Sequence, residues 1–311
     1  MKYAILGTGA LGGLYGSLLS RAGSEVHFLA RSDFAHIRSH GIDVQSHWGD
    51  FHLDSPNAYD NPAAIPDVDV AVVAWKTTSN DALAETLSHV CGPETVVFVL
   101  QNGYDVEREA ASIVGEDRVL GGCCFLCCNK TGPGKIEHLD YGMIAFGEYS
   151  QRLSGQITDR MREIQADFET AGIPMQPSEQ LPLVRWKKLM WNIPFNGLSV
   201  ILDSDTKRLT EHAASRELAS ELMEDVRSAA LACGYEIPSE FAEKMMRDTE
   251  KMVPYASSML LDYRAKRPIE VEAIFGNAVR AAAACGYTAH RIQTLYQQLR
   301  FLDAVNRGVQ T

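Results

Sequence analysis

Gly7-Thr8-Gly9-Ala10-Leu11-Gly12 follows directly on the apolar run Tyr3-Ala4-Ile5-Leu6 and leads into residues 13–22, which carry helical spacing. A G-x-G-x-x-G placed between a strand and a helix is a turn built for a dinucleotide. The first glycine permits the tight turn, the second lets backbone approach a pyrophosphate, and the third allows close helix–strand packing. The anion then lies at the positive end of the helix, so Gly7, Thr8, Gly9, Ala10, Leu11 and Gly12 are the candidate phosphate-binding residues.

Outward from this turn, short apolar runs at 3–6, 25–30, 68–74, 95–100 and 119–124 alternate with helical stretches. Near-continuous apolar strands belong to sheets covered by helices on both faces, so the pattern predicts an α/β doubly wound parallel sheet of Rossmann type. Further strands are expected at 134–138 and 143–147, then a helix over 151–170 that ends at Ala171-Gly172-Ile173-Pro174. Beyond this the strand signals disappear. The sequence predicts residues 1–177 as the nucleotide-binding domain and 178–311 as an all-α domain. In the latter, Leu218, Leu222, Val226, Ala229, Ala230 and Cys233 recur at spacings that share one helix face. Ala232-Cys233-Gly234-Tyr235 and Ala284-Cys285-Gly286-Tyr287 read as two helix stops of one kind, each with glycine after the last turn.

Two domains are also what the length favours, because 311 residues exceed the size at which one core usually keeps growing. Hydrophobic residues at 46% and charged residues at 22% mark an ordinary globular chain. A formal net charge of -11 argues against a broad footprint for nucleic acid or an anionic membrane, so an anionic ligand needs a local basic pocket. The amino terminus enters a strand at once, without the charged segment and long apolar run of a targeting peptide, and a cytosolic enzyme is expected.

The Cys123-Cys124 and Cys127-Cys128 pairs lie among Leu120, Gly121, Gly122, Phe125 and Leu126, so they read as small hydrophobes in a strand. An odd total of 7 cysteines disfavours a disulfide framework. The histidines show no metal-ligand spacing, and His138, inside a strand-like run, reads as structural. At the end of the second strand, Arg31 stands where an NAD site usually carries an acidic residue, and suggests the 2′-phosphate of NADP; Asp33 nearby keeps NAD open.

The glycine-rich turn, Lys76 after the third strand, Gln101-Asn102-Gly103 after the fourth and Arg185-Trp186-Lys187-Lys188-Leu189 downstream together resemble the ketopantoate reductase (2-dehydropantoate 2-reductase) family. Ser257-Ser258-Met259 and Arg267-Pro268-Ile269-Glu270-Val271-Glu272-Ala273-Ile274 continue the resemblance in order over nearly the whole chain. It implies NADPH-dependent reduction of 2-dehydropantoate to (R)-pantoate in pantothenate biosynthesis, with the helical domain completing the active site. Lys188 is then the general acid. Asn192, Asn196, Ser258 and Asn102 are substrate-binding, Asn102 also lying near the nicotinamide. Glu270 binds the substrate hydroxyl, influences the catalytic lysine and is also a cofactor-binding residue, and Lys76 lies near the cofactor or substrate.

Spacing speaks to some of these roles independently. Lys188, Asn192 and Asn196 at i, i+4 and i+8 share one helix face, and the neighbouring Lys187 can serve the solvated side; Pro194 is expected to kink this helix and free a carbonyl. Glu270 and Glu272 point in opposite directions if their segment is helical, so only one faces the cleft, and Glu270 is preferred. Trp75 is the alternative to Lys76, packing on the cofactor. A small-molecule 2-oxoacid is the expected partner, with no metal. A relative acting on another 2-oxoacid and a non-catalytic NADP-binding sensor are the competing readings. The last helix, with Leu295, Leu299, Phe301 and Leu302, could supply either a homodimer surface or a core edge.

Overall fold

In the computed structural model, which describes residues 1–308, the chain divides into two units. Met1–Gln101 and Val106–Leu181 form the first; Asn102–Asp105 and the chain from Pro182 on form the second.

The first unit runs β1 (Lys2–Leu6), α1 (Ala10–Arg21), β2 (Glu25–Leu29), α2 (Phe34–His40), β3 (Ile42–Ser46), β4 (Phe51–Leu53), β5 (Asn57–Tyr59) and β6 (Val70–Val73). It continues with α3 (Leu83–Val90), β7 (Val96–Val99), α4 (Glu107–Val114), β8 (Val119–Gly132), β9 (Lys135–Glu148), α5 (Asp159–Thr170) and β10 (Met175–Pro177). The sheet order is β4-β3-β9-β8-β7-β6-β1-β2-β5, with β10 added beside β9. β5, β2, β1, β6, β7 and β8 pair in parallel, as expected of a doubly wound sheet. The order reverses between β1 and β6, because β2 lies on one side of β1 and β6 on the other. Ligands of open α/β sheets bind at such a switch point, outside the carboxyl ends of the strands. The strands there are buried on both faces, all four residues of Val70-Ala71-Val72-Val73 included, which explains their unbroken apolar character.

Beyond β8 the sheet is mixed rather than parallel. β8 and β9 form one long antiparallel hairpin, so the two strands expected at 134–138 and 143–147 are a single strand that reverses against β8 through three register shifts. β3 and β4 were not legible as strands: Ile42-Asp43-Val44-Gln45-Ser46 alternates buried and exposed residues at the sheet's end, unlike the continuous apolar runs elsewhere. The helix expected from Gln151 starts at Asp159 instead. Residues 151–155 are turns, and Thr158 caps α5 with its hydroxyl toward the Met161 amide. The first unit extends past Pro177 to Leu181, because β10 pairs with β9 and the Ser178 amide donates to the Phe146 carbonyl.

The second unit is helical: α6 (Leu181–Trp191), a π turn (Asn192–Asn196), α7 (Gly197–Ile201), α8 (Thr206–Glu211), α9 (Ala213–Ala232), α10 (Ser239–Lys251) and α11 (Ser258–Arg264). A second π turn (Glu272–Gly276), α12 (Asn277–Ala284) and α13 (His290–Asn306) complete it. Trp186, Phe195, Phe275, Val226 and Ile292 lie in its core. Leu222, Val226, Ala229 and Ala230 are buried along α9, whereas Leu218 is exposed. On α13, Leu295 and Leu299 belong to the core, and Phe301 is exposed. Both expected helix stops are present. Gly234 and Gly286 take φ of +86° and +80°, and the amides of Tyr235 and Tyr287 return to the carbonyls of Ala230 and Ala282 at 2.9 Å. Among the described residues no helix is long and apolar enough to cross a membrane.

Candidate active site

In the first unit, each glycine of the turn has a separate physical role. Gly7 has φ of +103°, and a Cβ there would stand 2.8 Å from Trp75 Cβ, so the turn needs glycine on both counts. At Gly12 a Cβ would come within 2.1 Å of the Gly7 carbonyl oxygen and 2.9 Å of Ile5 Cγ2, which makes it the point of helix–strand contact. A Cβ at Gly9 would meet no protein atom within 4 Å. Gly9 is also the N-cap of α1 and provides no side-chain cap, so the first amides of the helix keep donors for an outside acceptor. The residues present therefore fit a dinucleotide pyrophosphate. Thr8 is buried and its hydroxyl donates to the Leu29 carbonyl at 3.2 Å, tying the turn to β2. Ala10 accepts a contact from the Cys128 thiol at 3.5 Å.

Arg31 lies exposed just beyond β2, its guanidinium donating to Ser79 Oγ at 3.1 Å. Asp33, the acidic alternative, is turned away from such a role: its carboxylate accepts from the Gly134 amide at 3.1 Å and pairs with Lys130 at 2.5 Å. Burial alone would raise its pKa, but the Lys130 and Gly134 hydrogen bonds outweigh burial and hold the carboxyl below its usual range. Trp75 and Lys76 follow β6, across the switch point from the glycine turn. The Trp75 indole donates to Asn80 Oδ1 at 3.1 Å, and the Gln101 amide donates to that same oxygen at 2.7 Å and to the Trp75 carbonyl at 3.1 Å. Gln101 thus braces the loop on which half-buried Lys76 sits. This brace was not read from the sequence, although Gln101 precedes the Asn102 that was.

In the second unit, Lys188 lies half-buried near the end of α6 with its ammonium 5.6 Å from the centre of the Trp191 ring. The Trp191 ring is fixed in turn, its indole donating to Thr249 Oγ1 at 3.2 Å. Asn192 and Asn196 are both buried, and they bound the first π turn. The straight face expected from i, i+4, i+8 spacing is therefore interrupted: Pro194 offers no amide to the carbonyl of Met190, and the backbone widens by a π turn. Asn192 Nδ2 donates to Asn102 Oδ1 at 3.5 Å.

Asn102 starts the short segment that joins the second unit, and its contacts show why. The Tyr104 amide donates to the Ala273 carbonyl at 2.9 Å, Asn277 Nδ2 donates to the Tyr104 carbonyl at 2.7 Å, and the Tyr104 ring packs on Trp186 at 4.6 Å. Asn277 and Tyr104 position this loop and carried no signal in the sequence.

The two glutamates separate, although not through helical spacing, because Glu270 precedes the helix that carries Glu272. Glu270 is buried, at 8% exposure. Glu272 is on the surface, accepting from Tyr296 Oη at 2.6 Å and Arg280 Nη1 at 3.0 Å. The chain leading into Glu270 is fixed by Arg267 Nε donating to Asp262 at 2.8 Å and the Ile269 amide to Asp303 at 3.1 Å. The π turns at 192–196 and 272–276 pack against each other. Ser258 is the first residue of α11 and half-buried; its neighbour Ser257 caps the helix through the Leu260 amide and shares a 2.7 Å hydrogen bond with Ser199.

His138 is removed from any such role. It is buried, with Ser46 Oγ at 2.9 Å from Nδ1 and the Tyr141 carbonyl at 3.0 Å from Nε2, a pattern that suits a neutral ring donating from Nε2. Burial and the neighbouring His47 lower its pKa to about 4. Cys123, Cys124, Cys127 and Cys128 are buried along β8, and burial pushes the Cys128 thiol up to about 12. Among the described residues no group of three or more His, Cys, Asp or Glu side chains is placed to hold a metal ion.

Comparison with known proteins places this geometry. The family described as "Ketopantoate reductase PanE/ApbA" matches residues 3–151, and "Ketopantoate reductase PanE/ApbA C terminal" matches residues 180–303. The chain is 50% identical to a 2-dehydropantoate 2-reductase from Nostoc sp. over 98% of its own length and 96% of that protein's. Its fold superposes on the crystal structure of 2-dehydropantoate 2-reductase from Geobacter metallireducens with a TM-score of 0.93 at 35% identity, covering 97% of this chain and 99% of that one. The corresponding structure from Methylococcus capsulatus gives 0.87 at 31% identity, with 98% of each chain covered. Both family models, and relatives that match along nearly the full length, thus agree, and the chain belongs to the ketopantoate reductase family.

Proposed function

We propose that this chain reduces 2-dehydropantoate to (R)-pantoate, using NADPH, as a step of pantothenate biosynthesis. The observation that carries the substrate is the 50% identity to the Nostoc reductase over 98% of the chain. NADPH, when bound, supplies the hydride for the keto carbon. The preference for its 2′-phosphate rests on Arg31, exposed at the end of β2, and on Asp33 being occupied by Lys130 and Gly134.

Gly7, Gly9 and Gly12 with the amides at the start of α1 hold the pyrophosphate, and Thr8, Ala10 and Leu11 complete the turn. Lys76 and Asn102 serve the cofactor side, Asn102 through the loop that Tyr104 and Asn277 fasten. Lys188 is the general acid. Its ammonium stabilises negative charge developing on the carbonyl oxygen and then transfers a proton to it, which is worth most where neighbouring apolar surface such as Trp191 excludes water. Asn192 and Asn196, buried on the π turn, orient substrate oxygens through amide hydrogen bonds. Ser258 binds the substrate carboxylate. Glu270 accepts from the substrate hydroxyl and influences Lys188.

The same reading takes the enzyme as cytosolic and as a homodimer joined through α13, where Phe301 and Val305 are 67% and 60% exposed. The experiment is steady-state NADPH oxidation with 2-dehydropantoate beside several other 2-oxoacids, repeated for Lys188→Ala. The expected result is selective turnover of 2-dehydropantoate, a loss of about 10²–10⁴ in kcat for the variant, and unchanged NADPH binding. Near-full turnover by Lys188→Ala removes the assignment of the acid, and preferred turnover of another 2-oxoacid removes the substrate.

A further inference from the structure

α9 and α12 pack side by side and end in the same way. Cys233 and Cys285 occupy the equivalent position in each cap, with φ, ψ of -83°, 6° and -91°, 10°, and each is followed by a left-handed glycine and a tyrosine that turns back on its helix. The two ends converge on one atom. The Ala281 carbonyl accepts the Cys285 amide at 3.2 Å and the Cys233 thiol at 3.5 Å, which brings the Cys233 sulfur to the backbone of its counterpart. Cys285 lies near enough to the Cys233 thiol to help raise its pKa, after burial. Cys285 is exposed and Cys233 half-buried behind it. None of the reductase chemistry uses either residue.

We propose that Cys233 and Cys285 form a reversible intrachain disulfide when a hydroperoxide reaches the exposed Cys285. In the first step the Cys285 sulfur attacks the peroxide, the O–O bond breaks, and Cys285 becomes a sulfenic acid with release of one water or alcohol. In the second the Cys233 sulfur attacks that sulfenic sulfur, the S–O bond breaks, and hydroxide leaves as water with the Cys233 proton. Two thiols are oxidised by two electrons and one peroxide is reduced. An exposed first thiol beside a sheltered second one is the arrangement that favours closure over further oxidation, because the resolving sulfur is held at the carbonyl that also accepts the Cys285 amide. Burial and the Cys285 contact push the Cys233 thiol up to about 12, so closure is the slow step and quickens as pH rises. The other thiols are less accessible: Cys123, Cys124, Cys127 and Cys128 are buried in β8, and Cys91 is half-buried.

The test treats the full-length protein with hydrogen peroxide at several pH values and maps it without reduction. The expected result is loss of two hydrogens in intact mass, a peptide pair joined through Cys233 and Cys285, and a raised Tm, all reversed by dithiothreitol. Closure should be faster at pH 9 than at pH 7. Cys233→Ser should trap a sulfenic acid on Cys285, detectable with a dimedone probe, and show no change in Tm on oxidation. The proposal is overturned if Cys285 proceeds to sulfinic acid in the wild-type protein while Cys233 stays reduced. Joining of any other cysteine pair at the same peroxide dose overturns it equally.

Discussion

Alanine at Gly9 and alanine at Gly12 should damage this protein in opposite ways, although the two residues are three apart in one turn. At Gly12 the added methyl carbon would meet the Gly7 carbonyl oxygen at 2.1 Å, Ile5 Cγ2 at 2.9 Å and Ala74 Cβ at 3.0 Å. Two of these neighbours belong to β1 and its turn and the third follows β6, so none is the free end of a flexible side chain. Overpacking of a rigid site costs about 1–3 kcal/mol, and the helix propensity gained by replacing glycine returns about 1 kcal/mol at most. A net loss of up to ~2 kcal/mol follows, read as a Tm lower by up to ~4–8 °C for a unit of this size. Gly9 has φ of -84°, which any residue adopts, and no protein atom within 4 Å of an added Cβ, so Gly9→Ala should change stability by less than ~0.5 kcal/mol. Its methyl instead occupies the space through which the backbone approaches a pyrophosphate. Loss of a charge-assisted hydrogen bond there costs ~1.5–3 kcal/mol, about 10- to 150-fold in Kd for NADPH. Thermal denaturation followed by circular dichroism, with NADPH fluorescence titration on the same samples, reads both quantities. Wild-type affinity in Gly9→Ala, or an equal drop in Tm for the two variants, would refute the division of roles among the glycines.

Other outcomes follow from the same structure. Glu270→Gln should lower kcat by at least tenfold, while Glu272→Gln, whose parent carboxylate serves only surface partners, stays within twofold; equal effects in steady-state assays would contradict the separation. Asp225 is buried and accepts from the Arg291 and Ile292 amides at 3.0 Å and from Tyr287 Oη at 2.7 Å, so Asp225→Ala should cost about 2–4 kcal/mol in urea unfolding, since three donors lose their acceptor. His138 has its pKa lowered to about 4 against an ordinary 6.5, so the unfolded chain takes up the proton first as pH falls. Its neutral form is fully stabilising above pH 6.5, and this contribution, on the order of 3 kcal/mol, drains away between 6.5 and 4. His138→Asn should remove that part of the acid limb, and an unchanged slope of stability between pH 7 and 4.5 would speak against a neutral buried ring.

The legible parts of the sequence were those in which one physical requirement dominates a run of residues. Val70-Ala71-Val72-Val73 has helices on both sides and must be apolar throughout, and Gly7 to Gly12 must satisfy a turn, an approach and a packing contact within six positions. At the sheet's end the requirement weakens: Asp43 and Gln45 face solvent while Ile42 and Val44 are buried, and a five-residue alternation gave little to recognise. Ser150 was hidden in a different way. Its hydroxyl pairs with Asp117, distant in sequence, and the turns after it displace the start of α5 to Asp159. In the helical unit, Lys188 and Asn192 could be placed on one face by counting, but Pro194 already signalled that counting would fail by Asn196. Asn277 and Tyr104 were beyond reach because each acts through a backbone group of the other's neighbourhood.

The hairpin of β8 and β9 sets an order of events for a chain emerging from the ribosome. β3, made early, has no parallel neighbour until Lys135-Ile136-Glu137-His138 arrives to pair with it, and the amino-terminal ammonium and Tyr3 Oη wait for Asp167, which lies 164 residues after Tyr3. Pairings so remote in sequence carry the loop-closure entropy of the whole intervening chain. The glycine turn and the strands beneath it are complete early, yet β3 lacks its parallel neighbour and β8 its antiparallel one until β9 follows, and Tyr3 lacks Asp167 until α5 has been released. Nascent chains shorter than about 170 residues should therefore be the ones most dependent on chaperones.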